Sequence, residues 1–188
     1  KAVEFVRLLV KAEVDVHVVM TENAQKFITP LTFQTLSGNP VVTDSFALLG
    51  DAKIGHIALA DLAELVVILP ATANIIGKIA NGIADDFLST TVMATRAPVL
   101  FIPSMNVNMW ENAVLQKNIQ ALLKFGYHLL EPGEGELACH WYGKGRLPEL
   151  NEVVEKMEDI FSQKDLKGER ILITGGPTQE PIDPVRFI

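Results

Sequence analysis

The sequence predicts an α/β domain, a parallel sheet with helices on both faces. Two observations carry this. Short β-rich apolar runs, each stopped by glycine or proline, alternate along the chain with segments of helical period. Those runs are apolar on both faces, as strands are when helices cover the sheet from either side.

The opening KAVEFVRLLVKA places Val3, Val6, Leu9 and Val10 at helical spacing, so the chain begins on a helix. VDVHVVM (14–20) alternates and then turns wholly apolar, like a buried strand. Further strands are expected at LVVILP (65–70), PVLFIP (98–103), YHLLEP (127–132) and RILITGG (170–176). Helical patterns fill the gaps at about 22–28, 56–63, 74–79, 86–95, 111–125 and 150–161. A doubly wound domain opens with a strand and a small-residue phosphate loop ahead of its first helix. This sequence starts after the place they would occupy, so the first strand is expected to be missing and the domain N-terminally incomplete.

The 188 residues suffice for one core and a short remainder, at roughly 150 residues per domain. Residues 1–161 are read as that core domain, the polar SQKDLKGE (162–169) as a linker, and 170–188 as the truncated start of a second domain. With 16 Lys+Arg against 23 Asp+Glu the net charge is −7, and no basic stripe offsets it, which argues against nucleic acid as a partner. Every apolar run is broken before it could span a bilayer, so no membrane insertion is expected. One cysteine, Cys139, permits no internal disulfide, and the N-terminus lacks a signal-peptide pattern; a cytoplasmic setting is expected.

In open α/β sheets ligands gather beyond the carboxyl ends of the strands, and several motifs fall there. In PSMNVNMW (103–110), Asn106 offers an amide that can hold a carboxylate without the strong stabilisation of an arginine. It can equally cap a turn, with Met105, Met109 and Trp110 as core. In PATAN (70–74), Thr72, Ala73 and Asn74 are small or polar enough to let backbone approach a flat ring or a sugar, or simply cap the next helix. Thr21, at a helix start, can bind phosphate or cap. His56, in GHIALAD, can move protons near neutrality or be structural. His17, His128 and His140 show no metal spacing with Cys139, and no metal is expected. Cys139 lies in GEGELACHWYGKGR (133–146), whose glycines predict a mobile, turn-rich segment; Lys144 and Arg146 nearby favour thiol chemistry, against the alternative of an incidental thiol.

Taken in order, TENAQKFITPLTFQTLSGNPV, GHIALAD, PATAN, PSMNVNMW and the cysteine segment resemble the flavin-dependent cysteine decarboxylases, and within them the phosphopantothenoylcysteine decarboxylases of coenzyme A biosynthesis. ITGGPTQEPIDPVRFI resembles the opening of phosphopantothenate–cysteine ligase, which in many bacteria is fused behind the decarboxylase. The resemblance implies a three-layer Rossmann-like or flavodoxin-like fold that binds FMN and forms homotrimers, with active sites between subunits and trimer-based dodecamers for full-length members. It implies that Thr21 and Phe27 contact the flavin, that Thr72, Ala73 and Asn74 lie along it, and that Ser104 lies near its ring. Asn106, Met109 and Ala138 would bind the small-molecule substrate 4′-phosphopantothenoylcysteine. Asn106 would orient its carboxylate, His56 would handle a proton, and Cys139 would donate one in the final reduction to 4′-phosphopantetheine. Magnesium and a nucleoside triphosphate would serve only the ligase. The family usually places glycine after the cysteine, where this chain has His140. The alternatives are a non-catalytic flavin-binding regulatory subunit and a peptidyl-cysteine decarboxylase.

Overall fold

The computed structural model describes residues 1–44, 55–137, 140–162, 165 and 168–174. At its centre β1 (Val66–Ala71), β2 (Val99–Pro103) and β3 (His128–Leu129) form a parallel sheet in the order β1-β2-β3. Val66 to Ile68 pair with Val99 to Phe101, and Leu100 and Phe101 pair with His128 and Leu129. Every residue of β2 is buried, which is why its sequence shows no polar alternation.

Successive side chains on β2 supply two different layers. Val99 and Phe101, with Ile68 of β1, face α5 (Ala73–Ala80) and α8 (Ala113–Lys124), whose Ile75, Ile76, Ile79, Leu115, Ile119 and Leu122 share one apolar cluster. Leu100 and Ile102 point the other way, onto Phe5 and Leu9 of α1 (Ala2–Lys11) and Val153 of α9 (Leu150–Phe161). The period of two in the strand and of about 3.6 in the helices therefore produces the three layers. A third cluster joins Val6 to Met20 and to Phe33 of α3 (Pro30–Ser37).

Four sequence expectations are corrected. The 14–20 run is extended but makes only a single parallel bridge, Val19 to Val42, through Met20 N–H to Val42 O (2.9 Å) and Val42 N–H to Val18 O (3.0 Å). A ladder needs a neighbour along its whole length, and no other described residue supplies one. Helix α3 was not expected, because only Phe33 of its eight residues is buried and the apolar period is weak. Its ends were nevertheless written in the sequence, with Pro30 in the first turn and Gly38 at φ 75° after the last. Of the strand expected at 170–176, residues 170–174 are irregular, with Leu172 and Ile173 exposed, since among the described residues no strand lies beside them, and 175 and 176 lie outside the described residues. Finally, 133–146 is not merely turn-rich. Its described residues pair as an antiparallel hairpin of β4 (Gly133–Glu136) and β5 (Tyr142–Arg146).

Candidate active site

The carboxyl ends of β1 and β2 lie side by side, joined by Ser104 N–H to Ala71 O at 3.2 Å. β1 runs straight into a capped helix, and β2 reaches one through the short loop 104–106. Thr72 caps α5, its hydroxyl accepting Ile75 N–H at 3.4 Å, and Asn106 caps α7 (Val107–Trp110), its Oδ1 accepting Asn108 N–H at 2.8 Å. Thr21 caps α2 (Glu22–Gln25) in the same way, accepting Ala24 N–H at 3.2 Å. The capping reading of all three residues is thus realised, and for Thr72 and Asn106 it fixes the side chains beyond the carboxyl ends of β1 and β2, where ligands gather. Thr72 and Asn74 are exposed, while Ala73 and Ser104 are half-buried. Of the residues read as core, Trp110 is buried but Met109 is 47% exposed.

His56 is the second residue of α4 (Gly55–Leu62), half-buried, with its ring edge-on to Phe87 at 6.3 Å. Phe87 opens α6 (Phe87–Ala94), which packs on α4 and begins with a complete capping box. Asp86 Oδ1 accepts Ser89 N–H at 2.8 Å, and Ser89 Oγ accepts Asp86 N–H at 3.1 Å. Lys78, near the end of α5, bridges Asp85 at 2.6 Å and Asp86 at 3.0 Å. Partial burial works to raise the Asp86 pKa, but the Ser89 N–H and hydroxyl and the Lys78 ammonium together hold it below the usual carboxylate value. Hydrogen bonds to Asp85 and then Asp86 raise the Lys78 pKa.

The brace behind His56 yields a prediction. Asp86→Ala is expected to cost about 1–2 kcal/mol, the loss of a charged N-cap. Because the folded carboxyl has the lower pKa, its contribution is present above the unfolded pKa and fades as pH falls through the folded one. Lys78 has the opposite sign: its contribution holds below its ordinary pKa and is lost only as pH rises through the raised folded value. Urea unfolding of parent and variant should therefore differ by a constant amount near neutrality and converge in acid.

A cleft of about 390 Å³ opens between the β2–α7 loop and the hairpin, lined by Ser104, Met105, Asn106, Glu136, Leu137, Gly145, Arg146 and Leu147. The hairpin turn is closed by His140 N–H to Leu137 O (2.8 Å) and Leu137 N–H to Trp141 O (2.7 Å). His140 sits at φ 62°, the left-handed region that glycine adopts freely, which explains why a glycine suits this position and shows that histidine can hold it. Ala138 and Cys139 lie outside the described residues. Lys144 and Arg146, the basic residues near Cys139 in the sequence, are each engaged by a carboxylate. Lys144 pairs with Glu131 and lies 5.8 Å over the Trp110 ring, and Arg146 pairs with Glu149 at 3.2 Å. Glu149 also receives Lys1 Nζ at 2.9 Å, a bond that holds its carboxyl below the usual range.

The structure therefore brings Ser104 and Asn106 together with the hairpin, and links their loop to Thr72 through Ala71. It does not bring His56 into that cleft: His56 is not among the lining residues. Phe27 projects from the α2–α3 connection with 92% of its surface exposed. Among the described residues, no cluster of three His, Cys, Asp or Glu could hold a metal, and no helix is long and apolar enough to cross a membrane.

The family model described as Flavoprotein matches residues 1–162, most of the chain. The chain belongs to the flavoprotein family. A second model, the DNA/pantothenate metabolism flavoprotein C-terminal domain, matches residues 166–188 of this flavoprotein. A Bacillus subtilis relative, "Coenzyme A biosynthesis bifunctional protein CoaBC", is 48% identical over 190 residues, covering 100% of the chain and 47% of the relative. The chain thus spans about half the length of the curated relatives it matches. Among solved structures, a PPC decarboxylase mutant complexed with pantothenoylaminoethenethiol superposes with a TM-score of 0.73 at 26% identity, over 85% of this chain and 91% of that one. The FMN-dependent cysteine decarboxylase SpaF gives a TM-score of 0.71 at 31% identity, over 82% and 85% of the two chains. The parallel sheet between two helical layers is the flavodoxin-like fold expected from the sequence.

The reading of single motifs missed the hairpin's contact with the Asn106 loop. The only available signal was the G-x-G spacing of Gly143 and Gly145, which is too common to place without coordinates.

Proposed function

We propose that this flavoprotein is the FMN-dependent decarboxylase part of a coenzyme A biosynthesis protein, converting 4′-phosphopantothenoylcysteine to 4′-phosphopantetheine. The observation that carries the reading is the cleft at the end of β2, where the Asn106 loop faces Glu136, Leu137, Gly145 and Arg146 of the hairpin, between whose two strands Cys139 falls in the sequence. Residues 1–161 form the decarboxylase domain, 162–169 the linker, and 170–188 the start of the ligase, the part that would use magnesium and a nucleoside triphosphate. The match of the second family model to 166–188 supports that division.

The residues present fit FMN. Short side chains at Thr72, Ala73 and Asn74 leave the backbone at the start of α5 approachable by a flat ring, Ser104 lies on the adjoining loop, and Thr21 offers a hydroxyl at the start of α2. The exposed Phe27 offers an aromatic face. When bound, FMN supplies a two-electron acceptor that later returns the same electrons.

Direct loss of carbon dioxide from a cysteinyl carboxylate would leave an unstabilised carbanion. With the sulfur-bearing carbon first oxidised to a thioaldehyde, the electrons freed on decarboxylation delocalise into an enethiolate. Asn106 orients the carboxylate by amide hydrogen bonding, which is weaker than an arginine pair and so does not trap the charged ground state. Met109 and Ala138 complete the substrate site. His56 handles the proton of the oxidative step, and Cys139 protonates carbon as the enethiol is reduced, so the reaction has no net redox change.

His56 lies outside the cleft that holds Asn106 in one chain, and the apolar side chains of Ile57, Met93, Phe27 and Leu31 are exposed near α2, α3, α4 and α6. Both observations accord with active sites that combine His56 of one subunit with the cleft of another; the assembly is the homotrimer, dodecameric in the full-length protein, that the family resemblance implies. A cytoplasmic location accords with this reading. As a test, full-length parent protein and Cys139→Ser are each incubated with 4′-phosphopantothenoylcysteine and analysed by mass spectrometry. The parent should yield the saturated thiol and the variant the decarboxylated, unsaturated one. Full formation of 4′-phosphopantetheine by Cys139→Ser would remove Cys139 from the mechanism, and absence of decarboxylation by the parent would overturn the function.

A further inference from the structure

We propose that Gly145 is a positioning residue for the decarboxylation: the side chain it lacks allows β5 to lie directly on the Met105–Asn106 peptide, and this contact sets Asn106 opposite Glu136 and Leu137 of the hairpin. The inference rests on the reading that Asn106 holds the substrate carboxylate.

Three observations carry it. Met105 N–H donates to Gly145 O at 2.9 Å, so the β2–α7 loop and β5 are bonded backbone to backbone. A Cβ built on Gly145 would meet the Met105 carbonyl oxygen inside 3.0 Å, with the Met105 carbonyl carbon at 3.3 Å and that of Asn106 at 3.6 Å. These are main-chain atoms at the end of a fully buried strand and cannot swing aside as a long side chain would. The hairpin cannot slide away cheaply either. Gly143, on the same face of β5, is seated just as closely on the same segment, where a built Cβ would lie 2.8 Å from Val107 Cγ2. Beyond β5, Lys1 Nζ donates to Leu147 O and Pro148 O, both at 3.3 Å. A methyl group at position 145 must therefore displace the peptide that carries Asn106, or lift β4 and β5 away from it.

The same hairpin contains its own control. Gly135 has φ +153°, as Gly145 does, yet a Cβ there meets only the Arg146 side chain, at 3.6 Å and beyond. Gly135→Ala incurs the same backbone strain without the collision, so comparing the two variants isolates the close approach from the conformational cost of losing glycine.

The experiment uses full-length, FMN-loaded protein as parent, Gly135→Ala and Gly145→Ala. It measures flavin content, kcat and KM separately, the ratio of unsaturated to saturated product, and calorimetric binding of the S-methyl thioether of the substrate, which keeps the carboxylate but cannot form a thioaldehyde. Gly145→Ala should retain flavin, lose about 10²-fold in kcat/KM with KM raised, as displacements on the order of 1 Å do, bind the thioether correspondingly more weakly, and release more unsaturated product. Gly135→Ala should stay close to the parent in all of these. Equal behaviour of the two variants would overturn the proposal, as would loss of flavin or of folded protein confined to Gly145→Ala, because the residue would then be structural. A parent that binds the thioether without decarboxylating substrate would sink the proposed function separately, and the binding difference between the variants would still decide the role of Gly145.

Discussion

Asn106→Asp is expected to lower kcat/KM about 10²–10³-fold while leaving the unfolding midpoint unchanged or slightly raised. The side chain has two separable duties. As the N-cap of α7 its Oδ1 accepts Asn108 N–H at 2.8 Å, a role that aspartate fills at least as well. As the group that orients the substrate carboxylate it must present a donor, and aspartate presents a second negative charge instead. Like charges placed together at a binding site cost several kcal/mol, and about 1.4 kcal/mol corresponds to each factor of ten. Asn106→Ala, by contrast, should lose both the cap and the binding. Steady-state kinetics alongside urea unfolding of the two variants separates the duties. Near-parental kcat/KM in Asn106→Asp would place the carboxylate elsewhere.

His56→Asn should reduce kcat about 10²–10⁴-fold, the usual contribution of a positioned acid or base, with flavin retained. His56 is half-buried, and its edge contact with Phe87 is the only ring contact it makes among the described residues. Losing that contact costs at most about 1.5 kcal/mol, so the fold should survive. Because His56 is proposed to serve the cleft of a neighbouring subunit, mixed trimers give a sharper reading. Co-assembled His56→Asn and Asn106→Asp chains should recover activity that neither has alone, as sites form from the intact cleft of one and the intact histidine of the other. No recovery on mixing would show that both residues act within one chain.

Much of the fold was legible because burial and sequence pattern coincide. β2 is apolar at every position since helices cover both of its faces, and α1, α5, α8 and α9 each show the stripe that packs against the sheet. Where burial is slight the pattern fades: α3 buries only Phe33, and the hairpin is built from glycine and charge, which read as a loop. The site was legible as separate linear blocks at strand ends, because strand ends are where the loops must lie. The blocks did not reveal their mutual contacts. Nothing in residues 103–110 indicates that the Met105 peptide needs a partner without a side chain, and that partner is forty residues further on. Likewise His140 stands in a left-handed conformation that its chemical type does not announce.

In the proposed reaction two electrons leave the thiol-bearing substrate before carbon dioxide does, and are then returned. The most direct measurement is a single turnover of full-length Cys139→Ser with 4′-phosphopantothenoylcysteine in the absence of oxygen, following flavin absorbance and carbon dioxide together. One flavin should be bleached for each carbon dioxide released, with the colour restored on admitting oxygen. Carbon dioxide released at full yield with the flavin absorbance unchanged would contradict the claim.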